Sequence, residues 1–385
     1  MKTGKKIIAL LAACAWILST AGCGSQAEGQ SSGSAVSVAS RPASSVSSTV
    51  TVTDHNGNAV KIPRKVERIA VCDIYPLPSV LAVFFDSAEK IVGMAKPSMT
   101  AAKNSLLSEL YPEILNAKTD FIDGTNVNTE ELLKLRPDVV FYSAENAALG
   151  KKLTAAGFAA VGVSASKWQY NCIETLDNWI SLLGKIFPEN DRSKIVEDYS
   201  RETYDLVQKR VSGLDESKRT KIFFLFQYSE AEITTSGKNF FGQWWADAVG
   251  AVNAGEELAT AKSAPVSMEQ ICKWNPQKIL ITNFNTARPD DLYNNKIGSY
   301  DWSAVSAVQH KEAYKMPLGM YRSYTPGVDT PVTLLWLAKT VYPDLFRDVD
   351  ITAKTKDYYK TVFNIALTDK QANKIFAPAA AASAF

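Results

Sequence analysis

Chemistry in this chain must come from aromatic, amide and charged side chains, because the usual catalytic and metal-binding sets are missing from the sequence. It holds two histidines, His55 and His310, and five cysteines, of which Cys72, Cys172 and Cys272 stand far apart with no CxxC pair. No HExxH, GxSxG or glycine-rich phosphate loop occurs. Neither a protein-held zinc or manganese ion, nor a resident cofactor, nor nucleophilic hydrolysis is indicated. Aromatic, amide and basic residues do follow short apolar runs. In the first half these are Tyr75, Lys96, Tyr142, Ser143 and Trp168; in the second, Gln227, Tyr228, Phe240, Trp244, Asn283, Tyr321, Arg322 and Tyr324. Aromatic rings stack on flat or greasy ligands, and Tyr and Trp also donate hydrogen bonds. Lys96 and Arg322 suit anionic groups, arginine in bidentate fashion. Each of these residues also has an ordinary reading as core or as solvated surface.

Their placement matters only if the preceding runs are strands. The runs IAVC (69–72), KIVGM (90–94), VVFY (139–142), KIFFLFQY (221–228), ILIT (279–282) and AYKMP (313–317) are short and apolar, and helical patterns lie between them. That alternation predicts α/β architecture with a parallel sheet covered by helices. Ligands of such sheets sit beyond the strand C-termini. Ahead of the first run, TVTVTDHNGNAVKIP predicts a hairpin around Asn56-Gly57-Asn58, with His55 in solvent at its turn.

A helix at 171–187 should hold the rest together. Ile173, Leu176, Trp179, Ile180, Leu183, Ile186 and Phe187 recur at helical spacing, and Pro188 ends the pattern. The segments on its two sides share a grammar. NTEELLKLRPD leads into VVFY and SMEQICKWNPQ leads into ILIT, with Glu130 and Glu269 each seven residues before a proline. This predicts two lobes of like plan, at 49–170 and 189–385, joined by a connecting helix at 171–188.

The N-terminus reads as an export signal at 1–22: Lys2, Lys5 and Lys6, then an apolar stretch too short to span a bilayer. Small residues before Cys23 match a bacterial lipoprotein cleavage site, although Thr20 stands where leucine is usual. Cys23 would then carry a diacylglyceryl group, and the Ser/Ala/Gly-rich stretch 23–48 would be a flexible tether. The expected location is extracytoplasmic, anchored to the cell membrane through that lipid alone. Lys and Arg number 42 against 40 Asp and Glu, and without the three leader lysines the balance is 39 to 40. No basic run stands out, so nucleic acid is not an expected partner.

Taken together, TVTDHNGNAVKIP, ERIAVCD, KIVGM, NTEELLKLRPDVVF, SMEQICKWNPQKILI and LLWLAKTVYPDLF resemble, in order, the helix-linked solute-binding proteins of ABC importers for iron–siderophore, haem, corrinoid and related chelates. The resemblance implies two Rossmann-like lobes joined by a single long α-helix, with ligand in the cleft between them. It implies a monomeric, non-enzymatic carrier of an iron–siderophore or similar metal chelate, working with an ABC permease and its ATPase. Glu130 and Glu269 match the glutamates that dock into arginine pockets of the permease. Haem, corrinoid and molybdate or tungstate are alternative cargoes; a surface lipoprotein or a chelatase-like enzyme is the alternative of another class.

Overall fold

The computed structural model describes residues 48–383. The export signal, Cys23 and all but the last tether residue lie outside them. The predicted hairpin forms, Thr49–Thr53 pairing antiparallel with Ala59–Pro63. Asp54 closes its turn by accepting from the backbone N–H of Asn56 (3.0 Å) and Asn58 (2.8 Å) through one oxygen. Its other oxygen accepts from Gly162 N–H at 3.0 Å, which pins the hairpin to the edge of the first sheet.

Two four-stranded parallel sheets follow. In the first, Ile91–Gly93, Ile69–Val71, Val139–Ser143 and Ala160–Val163 lie side by side in that order. In the second the order is Val252–Asn253, Lys221–Leu225, Lys278–Ile281 and Ala313–Lys315. Strand periodicity of two sends alternate side chains to opposite faces, and here both faces are buried. Ile69, Val71, Val139 and Phe141 enter one apolar cluster, while Ala70, Cys72, Val140 and Tyr142 enter the cluster on the other side. Phe223, Leu225, Ile279 and Ile281 likewise part from Ile222, Phe224 and Leu280. Each lobe is thus a helix–sheet–helix sandwich, which explains why the strands read as unbroken apolar runs.

The predicted connector is the helix Cys172–Ile186, capped by the Asn171 side chain, which accepts from Ile173 N–H and Glu174 N–H at 3.1 Å each. Only its first turn, Cys172 and Ile173, belongs to the second lobe's core; Leu176 to Ile186 pack into the first. The 19-residue helix Ser193–Val211 makes the return passage, with Val196 in the first core and Val207 and Val211 in the second. The passage between the two cores is thus made twice, once by each of these helices. The expected 189–385 lobe also loses its end to the first one. Tyr358, Tyr359, Val362 and Phe363 of Ile351–Phe363, and Ile375 of Asp369–Phe376, join the first-lobe cluster. The amphipathic faces of those helices required burial, but nothing in their period named the surface that would cover them.

Helix Phe241–Ala248 lies tightly on the second sheet because of Gly242. A Cβ there would stand 2.4 Å from Ser236 Cβ and 2.8 Å from Phe224 Cδ2. We expect Gly242→Ala to destabilise the protein by about 1–3 kcal/mol, the usual cost of overpacking, as read from the midpoint of urea unfolding.

Candidate functional site

The strand ends of the first lobe are tied to one another by carboxylates. Asp73, just after Ile69–Val71, accepts from Ser143 N–H (2.6 Å) at the end of the neighbouring strand and from Asn146 Nδ2 (2.8 Å). Asn146 in turn caps the helix Ala147–Ala155 through Leu149 N–H. Tyr75 lies beside this knot, half-buried, and burial together with the Asp73 charge raises its phenol pKa.

The second lobe presents an aromatic wall. Phe226 follows Lys221–Leu225, Phe284 follows Lys278–Ile281, and the two rings stack at 5.0 Å and 27°. Phe240 stands 5.9 Å from Phe226, and Tyr324 closes the set at 5.4 Å from Phe226 and 6.4 Å from Phe284. Phe226, Phe240 and Phe284 are only half-buried, whereas Tyr324 is fully covered and holds Gly242 N–H through its hydroxyl at 3.0 Å. The Arg322 guanidinium lies 5.1 Å over the Phe284 ring and 5.9 Å from that of Tyr321. Both geometries are within cation–π range. Arg322 is 1% exposed, and burial lowers its pKa against the opposing pull of Tyr321.

Tyr321 is buried, its hydroxyl makes no hydrogen bond among the described residues, and burial pushes its pKa up to about 12. Tyr75 of the first lobe is close enough to act on it electrostatically. Behind Arg322, Lys315 donates to the carbonyls of Thr282 (2.9 Å), Asn285 (2.6 Å) and Ala287 (3.0 Å). Burial lowers the Lys315 pKa to about 7, with repulsion from Arg288 and Arg322 adding to it. The wall is therefore greasy at its surface and positive beneath.

To one side a groove of about 670 Å³ opens at the lobe junction. Trp168 and Tyr170 line it from the loop that ends the first lobe, and Phe240 and Trp244 from the second, with Lys167, Lys238, Glu174 and Asp247 also on its lining. The loop is held from several directions. Ser164 N–H donates to His55 Nδ1 at 3.0 Å, Trp179 Nε1–H to Ser164 O at 2.6 Å, and the Trp168 ring meets the His55 ring edge-on at 4.9 Å.

The structure thus gathers Trp168, Phe240 and Trp244 in the groove, and sets Arg322 against Phe284 and Tyr321, while Tyr75 lies at the first-lobe strand ends. It does not bring Tyr142, Tyr228, Asn283 or Lys96 to either place. Tyr142 points into the outer layer of the first lobe, where its ring fills the space that Gly150 leaves. Tyr228 is core, donating to Ile297 O (3.0 Å) and accepting from Trp302 Nε1–H (2.9 Å). Asn283 is 1% exposed and donates to the carbonyls of Met316 and Pro317. Lys96 is exposed to solvent at the start of Lys96–Lys103. The wall residues that sequence reasoning missed, Phe226 and Phe284, are immediate neighbours of residues it chose. A one-residue change in the boundary of a strand reverses the face of every side chain beyond it. His55 is likewise half-buried rather than in solvent, held against Ser164 and Trp168.

Glu130 and Glu269 are each the second residue of a short capped helix, Thr129–Lys134 and Met268–Trp274, and both are exposed. Asn128 and Ser267 provide the caps, and Leu132 and Ile271 anchor the opposite face.

Two parallel-sheet lobes bridged by helices, with strand ends that carry rings and cations, have the architecture of a solute-binding protein. Residues 82–318 match the periplasmic binding protein family, and the chain belongs to it. It is the binding component of an ABC importer, acting outside the cytoplasm on a small-molecule ligand with permease and ATPase as partners. It is 26% identical to the molybdate-binding protein MolA of Haemophilus influenzae, over 81% of this chain and 90% of that one. A periplasmic solute-binding protein of Veillonella parvula superposes with a TM-score of 0.76 at 31% identity, over 86% of this chain and 97% of that one. The Helicobacter pylori protein CeuE in its Ni–His complex gives 0.67 at 26% identity, over 85% and 99%.

Burial lowers the His55 pKa from 6.5 to about 4, with Lys167 adding to the shift, so the folded state holds the ring neutral. Between those values the unfolded chain binds the extra proton, and stability is lost as pH falls through that window. Unfolding free energies of wild type and His55→Gln should therefore converge from pH 7 towards pH 4, as measured by urea titration at each pH.

Proposed function

We propose that the chain captures an iron–siderophore or similar anionic metal chelate in the cleft between its lobes and delivers it to the importer, without catalysis. The half-buried wall of Phe226, Phe240 and Phe284, with Arg322 against Phe284, carries this reading. Flat ligand rings stack on such a wall, and the cations beneath it favour a ligand of net negative charge. A chelate arrives with its metal already wrapped, so it needs no imidazole or thiolate set; among the described residues no metal-binding group of His, Cys, Asp and Glu occurs. The cargo is then held at the lobe junction while Glu130 and Glu269 dock on the permease, and Cys23 tethers the chain to the membrane as a lipoprotein monomer.

A second reading takes the ligand to be molybdate, favoured by the 26% identity to a molybdate-binding protein. It would use Arg322 and Tyr321 and leave the aromatic wall idle. The two readings part in isothermal titration against a ferric tris-catecholate, a ferric hydroxamate, haem, a corrinoid and sodium molybdate. The first expects a chelate to bind and Phe284→Ala to weaken it at least tenfold. Molybdate binding that is insensitive to Phe284→Ala would replace it with the second. Arg322→Leu should weaken an anionic ligand of either kind by about 1.5–3 kcal/mol, the usual worth of a charge-assisted hydrogen bond.

Two exposed carboxylates on separate lobes give register as well as attraction to a basic partner. Charge reversal at both positions, Glu130→Lys with Glu269→Lys, should abolish uptake in cells while leaving ligand affinity unchanged. Loss of affinity in the purified double variant would remove the docking assignment.

A further inference from the structure

The loop between the first lobe and the Cys172–Ile186 helix contains the strained backbone nearest the groove. Gln169 and Tyr170 are consecutive non-glycine residues with φ of 53° and 60°. Left-handed geometry is unfavourable for such side chains and persists only when the surroundings impose it. Tyr170 uses that geometry to cross to the second lobe. Its hydroxyl donates to Ala261 O at 2.9 Å, and its ring meets Phe240 at 5.2 Å and Phe241 at 4.8 Å.

What imposes it starts at Glu145, two residues past the strand Val139–Ser143. One Glu145 oxygen accepts from Ser164 Oγ (2.5 Å), Ala165 N–H (3.0 Å), Ser166 N–H (2.9 Å) and Ser166 Oγ (2.7 Å). The other accepts from Ser143 Oγ at 2.7 Å. Burial alone would raise this carboxyl, but the hydrogen bonds from Ser164, Ser166 and Ser143 outweigh it and hold its pKa at about 2. The carboxylate thus stays charged through neutral and mildly acid solution, and it closes the loop into a turn centred on itself. Ser164 Oγ also accepts from Lys167 N–H at 2.9 Å, which carries the turn up to the strained pair.

We propose that Glu145 is a positioning residue: by clasping residues 164–166 it sustains the left-handed Gln169–Tyr170 backbone, holds Tyr170 across the lobe junction and so sets the width of the groove. The ligand does not touch Glu145 in this arrangement. The carboxylate acts through Tyr170, whose aromatic contacts are the bridge between the lobes at this edge. Ordinary stabilisation of the first lobe would leave the spacing of the lobes untouched, and this separates the two roles.

The test reads that spacing without any ligand, so it is independent of which cargo the protein carries. Spin labels at Lys151→Cys and Lys273→Cys, in a Cys272→Ser chain, report the distance between lobes by pulsed electron resonance. Glu145→Ala and Tyr170→Ala should each broaden the distribution towards longer distances, the double variant no more than either single one, and Glu145→Asp should recover part of the native profile. Exchange of the Ala165 and Ser166 amides should quicken at least tenfold in Glu145→Ala. Glu145→Gln, which keeps the side-chain shape, serves if the alanine variant does not fold. An unchanged distance profile in the folded Glu145 variant, or additive broadening in the double variant, would overturn the proposal.

Discussion

The site depends on one packing constraint: two consecutive helices must bury their apolar faces in both lobes at once. Cys172–Ile186 starts in the second core and runs along the first, and Ser193–Val211 starts in the first and ends in the second. Neither helix can shift without uncovering large side chains such as Trp179 or Val207, which are at most 1% exposed. The lobes are therefore held at a set spacing along this side. Helices Ile351–Phe363 and Asp369–Phe376 reinforce it by returning the chain to the first lobe, where Lys374 pairs with Glu109 at 2.9 Å.

Within that frame, the lobes contribute unlike chemistry. The first lobe offers hydrogen-bonded turns, in which Asp54, Asp73 and Glu145 gather backbone N–H groups at the ends of strands. The second offers rings backed by cations. Arg322 lies against Phe284, and Lys315 is satisfied by three carbonyls of the loop 282–287. Buried positive charge behind an aromatic surface favours ligands with delocalised or peripheral negative charge. The lobes meet where Tyr170 reaches Phe240 and Phe241.

Much of the fold was legible in the sequence because burial on both faces of a parallel sheet leaves a plain mark. Every strand of the two main sheets except Ala160–Val163 and Val252–Asn253 coincides with an apolar run read in advance. The paired helices carrying Glu130 and Glu269 were readable for a similar reason: a cap, a buried leucine or isoleucine and a closing proline recur in each. The site was less legible. Trp168, Phe240 and Trp244 do meet, but Tyr228 and Asn283 were chosen where Phe226 and Phe284 form the wall. Composition cannot separate a tyrosine whose hydroxyl satisfies Trp302 in a core from one that faces a cleft.

The sequence by itself determined the class of architecture, the alternation of strands and helices, and the exposed carboxylates, since each follows from local periodicity and capping. Only the tertiary structure decided that a second helix shares the bridging role, that the C-terminal helices belong to the first core, and that His55 packs on Ser164 and Trp168. It alone brought Glu145 to residues 164–166. Such facts depend on which distant surfaces meet, and an amphipathic face states that it must be covered without stating by what.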